Sequence, residues 1–183
     1  SACFPVGRIW CVGRNYAEHS REMGSDPERN PPFFFTKPAD SISTLSILPF
    51  PLQTQKLHYE VELVVALASG GTNLTPEESR RLIYGYAVGL DMTRRDMQEE
   101  ANKHRHPWSL PKGFDNACPI SAIRPASEVE DLEQSLITLK VNGNVRQSGR
   151  ISDMIWSIPE IISALSQSVT VRAGDLIMTV TYQ

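Results

Sequence analysis

The segment LHYEVELVVALASGG, residues 57–71, most constrains the fold because it combines an apolar strand pattern with two acidic residues. Side chains two positions apart in a strand lie on the same face, so Glu60 and Glu62 point the same way. The next positions on that face are Val64 and Ala66, which is typical of a buried surface rather than of a solvated one. The pattern therefore predicts a strand with two apolar faces and at least partly buried acids at one end.

Length and composition indicate one ordinary globular domain. A chain of 183 residues is long enough for a hydrophobic core, and we expect a single domain over residues 1–183. With 40% hydrophobic residues, 21% charged residues and a net charge of -3, the chain lacks the basic excess of nucleic-acid-binding proteins. No apolar run approaches the roughly 18 residues of a membrane span. We therefore expect neither a nucleic acid nor a membrane as partner.

The cysteines favour a reducing compartment. Cys3, Cys11 and Cys118 are scattered and form no C-x-x-C pair, so neither a disulfide framework nor a zinc site is predicted. Cys11 and Cys118 have no neighbouring histidine or helix start that would produce a thiolate nucleophile, which favours buried structural roles. The N-terminus lacks a signal-peptide pattern. A cytoplasmic location is expected, or a mitochondrial one if a targeting peptide has been removed.

The remaining patterns predict many short strands and few short helices, which is typical of a β-rich α+β domain. The Asn-Gly pair at 142–143 marks a hairpin turn, and Thr75 followed by Pro76 marks a helix start. A long loop is predicted over residues 104–116. Strands are predicted at 8–13, 33–38, 57–71, 84–93 (buried), 136–149 (a hairpin) and 174–183, and helices at 14–24, 75–82, 94–103 and 158–167.

Three acids in or beside apolar strand patterns, Glu60, Glu62 and Asp91, could form a cation site. Carboxylates are seldom buried without a counter-charge, because desolvation strongly disfavours the ionised form. Oxygen ligands without a cluster of cysteines or histidines fit Mg²⁺, Mn²⁺ or Ca²⁺ better than zinc. The alternative is that the glutamates line a solvated sheet edge and that Asp91 caps the next helix. Spacing alone leaves both interpretations open.

Two further sets of residues are candidates for catalysis. His19 and Glu22 lie three positions apart on the predicted helix 14–24, where the carboxylate could polarise the imidazole so that it draws a proton from water. A solvated, charged helix surface explains the same spacing, and the pattern alone favours it. Lys37 and Lys112, each next to a proline or glycine, could act as electrophilic aids, although surface lysines are common.

Several blocks occur in a fixed order through almost the whole chain: VGRNYAEHSREMG, PPFFFTKPAD, LHYEVELVVAL, YGYAVGLDMTRRDMQ, PKGFDNACPIS, LKVNGNVRQSG and SDMIWSIPEIIS. Together they closely resemble the fumarylacetoacetate hydrolase family, in particular its acylpyruvate and fumarylpyruvate hydrolase branch. The resemblance implies a mixed β-sandwich roll of the type found in the C-terminal domain of that family. It also implies a homodimer.

The resemblance further implies a set of site residues. Mg²⁺ or Mn²⁺, with Ca²⁺ as a substitute in crystals, would be held by Glu60, Glu62 and Asp91. His19 and Glu22 would activate water from a helix that acts as a lid over the substrate. The other implied residues are the active-site lysine Lys112 and the substrate-binding residues Arg95, Gln98 and Thr181.

The implied activity is hydrolysis of the carbon–carbon bond of an acylpyruvate, a small 2-oxo acid, to pyruvate and a carboxylic acid. The short PPFFFTKPAD and HSREMGSDP blocks look most like fumarylpyruvate hydrolases of aromatic-acid catabolism. Because the same pyruvate enolate arises from oxaloacetate, an oxaloacetate decarboxylase or tautomerase is the alternative. A non-catalytic, metal-binding member is a third possibility.

One departure from the family is visible near the C-terminus. Similar proteins have TGTP where this chain has Thr179, Val180, Thr181 and Tyr182. We therefore expect either a chain truncated at its C-terminus or a variant with altered activity.

Overall fold

The computed structural model describes residues 3–13, 15 and 30–180, and it shows a strand-rich α+β fold. The predicted helix over residues 14–24, apart from Asn15, lies outside the described residues, and so do residues 181–183. The strands are β1 Ile9–Gly13, β2 Phe33–Lys37, β3 Ile42–Ser43, β4 Leu57–His58, β5 Val61–Leu67, β6 Ile83–Leu90, β7 Thr93–Arg94, β8 Cys118–Pro119, β9 Arg124–Pro125, β10 Leu136–Val141, β11 Asn144–Arg150 and β12 Leu176–Met178.

The helices are short and lie between the strands. Single turns of 3-10 helix occur at Ala39–Ser41, Ala126–Glu128, Leu132–Gln134 and Ile151–Asp153. The α-helices are α1 Pro76–Arg80, α2 Arg95–His104, α3 Ser109–Lys112 and α4 Ile158–Ser166. Among the described residues, no helix has the length and apolar content that crossing a bilayer requires.

A six-stranded sheet forms the centre of the described structure, with the strand order β2-β1-β12-β5-β6-β9. β1 and β12 are parallel, and the other neighbours are antiparallel. β5 is therefore an interior strand, with β12 on one side and β6 on the other. Val61 lies opposite Leu90, and Glu62 lies opposite Gly89. The sheet-edge interpretation of the glutamates is wrong.

The two faces of β5 pack into two separate clusters of apolar side chains, as the sequence predicts. Val61, Leu63 and Val65 belong to a first core, which also includes residues of α4. Val64 and Ala66, which share the face of Glu62, belong to a second core on the opposite side. All residues of β5 are buried, and each fully buried large aliphatic side chain contributes about 1.5–3 kcal/mol to stability.

Two local predictions are confirmed at the level of the backbone. Thr75 caps α1, because its hydroxyl accepts a hydrogen bond from the N–H of Glu78 while the Glu78 carboxylate accepts one from the N–H of Thr75. Asn142 and Gly143 have positive φ angles of 51° and 80°, as a two-residue hairpin between β10 and β11 requires. The sequence alone therefore predicts both the helix cap and the hairpin turn.

Other predictions differ from the structure in extent. The strand predicted to be buried at residues 84–93 ends at Leu90. Tyr84 and Val88 are exposed, although Tyr86 and Leu90 on the same face pack against the first core. The loop at 104–116 contains α3, whose Pro111 concealed a helical turn. The last strand, β12, occupies only Leu176–Met178 of the predicted 174–183.

Candidate metal centre and active site

The pairing of β5 with β6 brings the three predicted acids together. Glu60 precedes β5, Glu62 lies within it, and Asp91 follows β6 directly. The backbone N–H of Asp91 donates to the carbonyl of Glu60 at 2.8 Å. One carboxylate oxygen from each acid lies within 4.8 Å of the others, and all three residues are buried. The helix-cap interpretation of Asp91 is wrong, because the N-cap of α2 is Arg94.

Lys112, at the end of α3, bridges two of these acids. Its ammonium group lies 2.8 Å from Oε2 of Glu60 and 2.6 Å from Oδ2 of Asp91. Burial lowers the pKa of Lys112, but the charges of Asp91 and Glu60 outweigh this effect and raise it above its ordinary value. Lys112 is therefore a cation at neutral pH, and it can serve as a hydrogen-bond donor but not as a base.

The first turn of α2 places a second cation against the same site. The guanidinium of Arg95 donates to Oε1 of Glu60 at 2.6 Å, to Oε1 of Gln98 at 2.5 Å and to Nδ1 of His58 at 3.2 Å. Burial would raise the pKa of Glu60, but Lys112 and Arg95 together lower it to about 2. Glu60 is thus ionised at every physiological pH. The predicted substrate-binding pair Arg95 and Gln98 therefore lies next to the triad.

Glu62 is the acid of the triad that has no ion pair with a described residue. Its Oε2 accepts a hydrogen bond from the backbone N–H of Val180 at 3.1 Å, and it forms no ion pair within residues 3–13, 15 and 30–180. Burial, followed by the neighbouring charges of Asp91 and Glu60, raises the pKa of Glu62 well above its ordinary value. A buried carboxylate of this kind requires either a proton or a cation.

These residues fit a divalent cation. The donor set consists of carboxylate oxygens, which Mg²⁺, Mn²⁺ and Ca²⁺ prefer. Glu62 has unused acceptor capacity, because it forms no ion pair with any described residue and accepts one backbone hydrogen bond, from Val180. Glu60, Glu62 and Asp91 are therefore the residues that would hold the ion.

Sequence reasoning underestimated Lys37, the last residue of β2. Its ammonium lies 2.7 Å from Oδ1 of Asp91, an ion-pair contact whose angles are not those of a hydrogen bond. It also donates to the backbone carbonyls of Met92, at 3.0 Å, and of Lys112. The only sequence signal was a lysine at the end of an apolar strand.

The other candidates are either undescribed or buried. His19, Glu22 and Thr181 lie outside the described residues, so their proposed roles remain predictions. Cys11 and Cys118 are buried, as expected. Burial raises the pKa of Cys118 to about 12 and that of Cys11 well above its ordinary value, which disfavours a thiolate nucleophile.

The fold and the site define a strand-rich α+β protein with a buried carboxylate centre flanked by lysine and arginine. Sequence comparison makes the assignment specific: the family described as "Fumarylacetoacetate (FAA) hydrolase C-terminal" matches residues 8–183. The chain belongs to the fumarylacetoacetate hydrolase family. The resemblance inferred from the sequence blocks, and the fold class that it implied, are confirmed.

Relatives with assigned names include oxaloacetate tautomerases and a fumarylpyruvate hydrolase. The chain is 42% identical to the mitochondrial oxaloacetate tautomerase FAHD1 of Mus musculus, covering 96% of this chain and 82% of the relative. It is 41% identical to the oxaloacetate tautomerase YcgM of Escherichia coli, covering 96% and 81%. A solved structure of fumarylpyruvate hydrolase from Pseudomonas aeruginosa, in complex with Mn²⁺ and pyruvate, is 49% identical, with a TM-score of 0.87 and coverage of 96% and 78%.

Proposed function

We propose that this protein is an acylpyruvate hydrolase that cleaves a fumarylpyruvate-like substrate to pyruvate and a carboxylic acid. The observation that carries the proposal is the buried triad of Glu60, Glu62 and Asp91 with the Lys112 ammonium bridging two of its members. The similarity to a fumarylpyruvate hydrolase that binds Mn²⁺ and pyruvate supports it. A physiological ion of Mg²⁺ or Mn²⁺ is part of the proposal.

The side chains suggest how the site works. A divalent cation bound by the triad would polarise the carbonyl oxygens of a 2-oxo acid and offset its charge. Lys112, whose ammonium contacts Glu60 and Asp91, donates to a substrate oxygen as negative charge develops on it. Arg95 and Gln98, at the start of α2, orient the substrate carboxylate.

His19 and Glu22 are proposed as the groups that activate water. His19 accepts a proton from water while the hydroxyl adds to the acyl carbonyl. The carbon–carbon bond then breaks, and its electron pair passes to the pyruvate fragment as an enolate. His19, now protonated, or water returns a proton to the carbon that carried the acyl group, which completes pyruvate. His19→Ala should therefore abolish turnover of the acylpyruvate while cation binding persists.

Oxaloacetate chemistry is the second candidate function, favoured by the names of the mouse and bacterial relatives. Tautomerisation of oxaloacetate and its decarboxylation both pass through an enol or enolate, which the same cationic groups would stabilise. Hydrolysis requires an activated water, whereas tautomerisation and decarboxylation do not. Proton-transfer groups and water access therefore decide between the reactions.

The test measures three reactions under identical conditions. Loss of the enol absorbance of fumarylpyruvate and of a simple acylpyruvate is followed with Mg²⁺ or Mn²⁺ and then with excess EDTA, alongside tautomerisation and decarboxylation of oxaloacetate. Glu60→Gln, which preserves the side-chain volume but not its charge, is the variant for the cation site, and we expect it to fold and to lose cation-dependent turnover.

The outcomes separate the candidates. Rapid, EDTA-sensitive loss of acylpyruvate would support the hydrolase proposal. Turnover of oxaloacetate alone would replace it with the second candidate function. No turnover of any substrate by a folded, cation-binding protein would indicate a non-catalytic family member. Full activity of Glu60→Gln would contradict the assignment of the cation site.

We also propose that the protein assembles as a homodimer. Four large apolar side chains stand exposed on the segment 45–52, between β3 and β4, where a partner copy would bury them. They are Leu45, Ile47, Phe50 and Leu52, with exposures of 61%, 83%, 64% and 80%.

A further inference from the structure

The site contains two buried lysines, and their surroundings differ. Lys112 contacts the side chains of Glu60 and Asp91, so its ammonium is held by carboxylates. Lys37 contacts one carboxylate oxygen, on Asp91, and donates to the backbone carbonyls of Met92 and Lys112. Carbonyl groups of the main chain cannot reorient as carboxylate side chains do, so the position of Lys37 is set by the backbone.

Lys37 connects three parts of the chain at one point. It belongs to β2, whereas Asp91 and Met92 follow β6, and Lys112 ends α3. The side chain of Lys37 is fully buried, with 0% of its surface exposed. With its ammonium held by these three oxygens and no access to solvent, Lys37 is poorly placed to donate to a substrate.

We propose that Lys37 is a positioning residue that fixes Asp91 for the cation and holds the end of α3 so that Lys112 faces the triad. This inference rests on the proposed function, because it assigns Lys37 a role through the cation site and through Lys112. Lys37 is not a catalytic residue, since it acts only through Asp91 and the main chain around it.

Charge neutralisation alone would be a simpler role for Lys37, and it makes a different prediction. If only the charge mattered, its removal would leave the geometry of a bound cation unchanged. If Lys37 positions Asp91, its removal alters the ligand field of the bound ion and the rate of the reaction together. Loss of a group that orients a metal ligand typically lowers affinity or activity about 10–100-fold.

The experiment compares Lys37→Met with Ile162→Ala, using Mn²⁺ as the probe. Met approximates the length of the lysine stem without its charge. Ile162 is fully buried in the first core and contributes nothing to the site, so its truncation lowers the melting temperature by creating a cavity elsewhere. For each folded protein, the Mn²⁺ electron paramagnetic resonance spectrum, the Mn²⁺ dissociation constant and kcat for the acylpyruvate substrate are measured.

We expect Lys37→Met to change the zero-field splitting of bound Mn²⁺ and to lower kcat or Mn²⁺ affinity about 10–100-fold. Ile162→Ala should retain the wild-type spectrum, affinity and kcat despite its lower melting temperature. An unchanged spectrum together with unchanged kcat in Lys37→Met would overturn the role of Lys37. A wild type that bound no Mn²⁺ would contradict the proposed function itself. A wild type that binds Mn²⁺ and is matched by Lys37→Met would contradict only the role of Lys37, so the two failures are distinguishable.

A measurement on the wild type applies even if Lys37→Met does not fold. Acylation of lysine amines by acetic anhydride is followed site by site by mass spectrometry, with and without Mn²⁺. Lys56, whose side chain is 49% exposed, serves as the internal reference that reacts in the folded protein. Lys37 should stay unmodified until the protein unfolds, whereas labelling of Lys37 in the folded protein would overturn the proposal that it is fixed.

Discussion

Glu62 differs from its two carboxylate neighbours because no ion pair with a described residue balances its charge. At pH values between the ordinary pKa of 4.5 and the raised pKa, the carboxylate of Glu62 is protonated in the folded, cation-free protein and ionised in the unfolded chain. The free energy of unfolding of the cation-free protein therefore receives a contribution from Glu62 that decreases as the pH rises from 4.5 toward the raised pKa. A cation that binds Glu62 must displace this proton.

We predict that Mn²⁺ binding releases a proton from Glu62 and that Mn²⁺ affinity increases with pH over the range in which Glu62 is protonated. Calorimetric titrations in buffers of different ionisation enthalpy, between about pH 5 and pH 8, measure the number of protons released. Glu62→Gln should lose the proton release and the part of the pH dependence of Mn²⁺ affinity that comes from Glu62. Identical heats in all buffers at every pH would contradict the prediction.

Val180 occupies a backbone conformation that suits glycine. Its φ is +73°, and a β-branched residue in the left-handed region is strained by roughly 1–3 kcal/mol. We predict that Val180→Gly is more stable than Val180→Ala by about 1 kcal/mol, because both lose the packing of valine but only glycine loses the strain. Urea unfolding of the two variants measures the difference. A higher free energy of unfolding for Val180→Ala than for Val180→Gly would show that the backbone at position 180 is not strained.

At the scale of secondary-structure elements, α1 depends on its cap because it has only five residues. Thr75→Ala should lower the free energy of unfolding by about 1 kcal/mol, since the N–H of Glu78 loses its acceptor. Thr75→Ser retains the hydroxyl and is the matched control. Both free energies come from urea unfolding. Equal stability of the alanine variant and the wild type would contradict the role of the cap, and Mn²⁺ affinity should not change because α1 supplies no site residue.

The elements that the sequence predicted well are those defined by local chemistry. β5, the cap at Thr75 and the Asn142-Gly143 turn each depend on periodicity or on the conformation of one or two residues. The proximity of Glu60, Glu62 and Asp91 depends instead on which strands pair and in what register. Spacing left that question open, and only the family resemblance suggested the answer.

The predictions that failed or fell short concern tertiary environment. Tyr84 and Val88 of β6 were predicted to be core residues, because an apolar pattern does not show which positions along a face another layer covers. The sequence did not distinguish Lys37 from an ordinary surface lysine, because two of its partners are backbone carbonyls, which have no signature in the sequence. α3 was hidden by its proline and by its length of four residues.

At the scale of the whole molecule, the exposed apolar segment between β3 and β4 should decide the oligomeric state. We predict that Ile47→Lys shifts the protein from dimer to monomer, because a charge in a buried apolar interface is not solvated. Light scattering coupled to size-exclusion chromatography measures the mass. Val145→Lys, at an exposed position on the β10–β11 hairpin, is the matched control. A wild type that is monomeric at every concentration would contradict the proposed homodimer.

The carboxylate triad spans a strand pairing, since Glu62 lies opposite Gly89 and Asp91 follows β6 directly. A slip of one residue between β5 and β6 would turn the acids to different faces, so the ion can recognise only the correctly paired chain. Ligands that bind only the native state stabilise it by mass action, about 2.7 kcal/mol at a hundredfold excess over the dissociation constant. The proposed cation would therefore act as a chemical chaperone, and growth in manganese-supplemented medium should restore the yield of variants that are weakened far from the site.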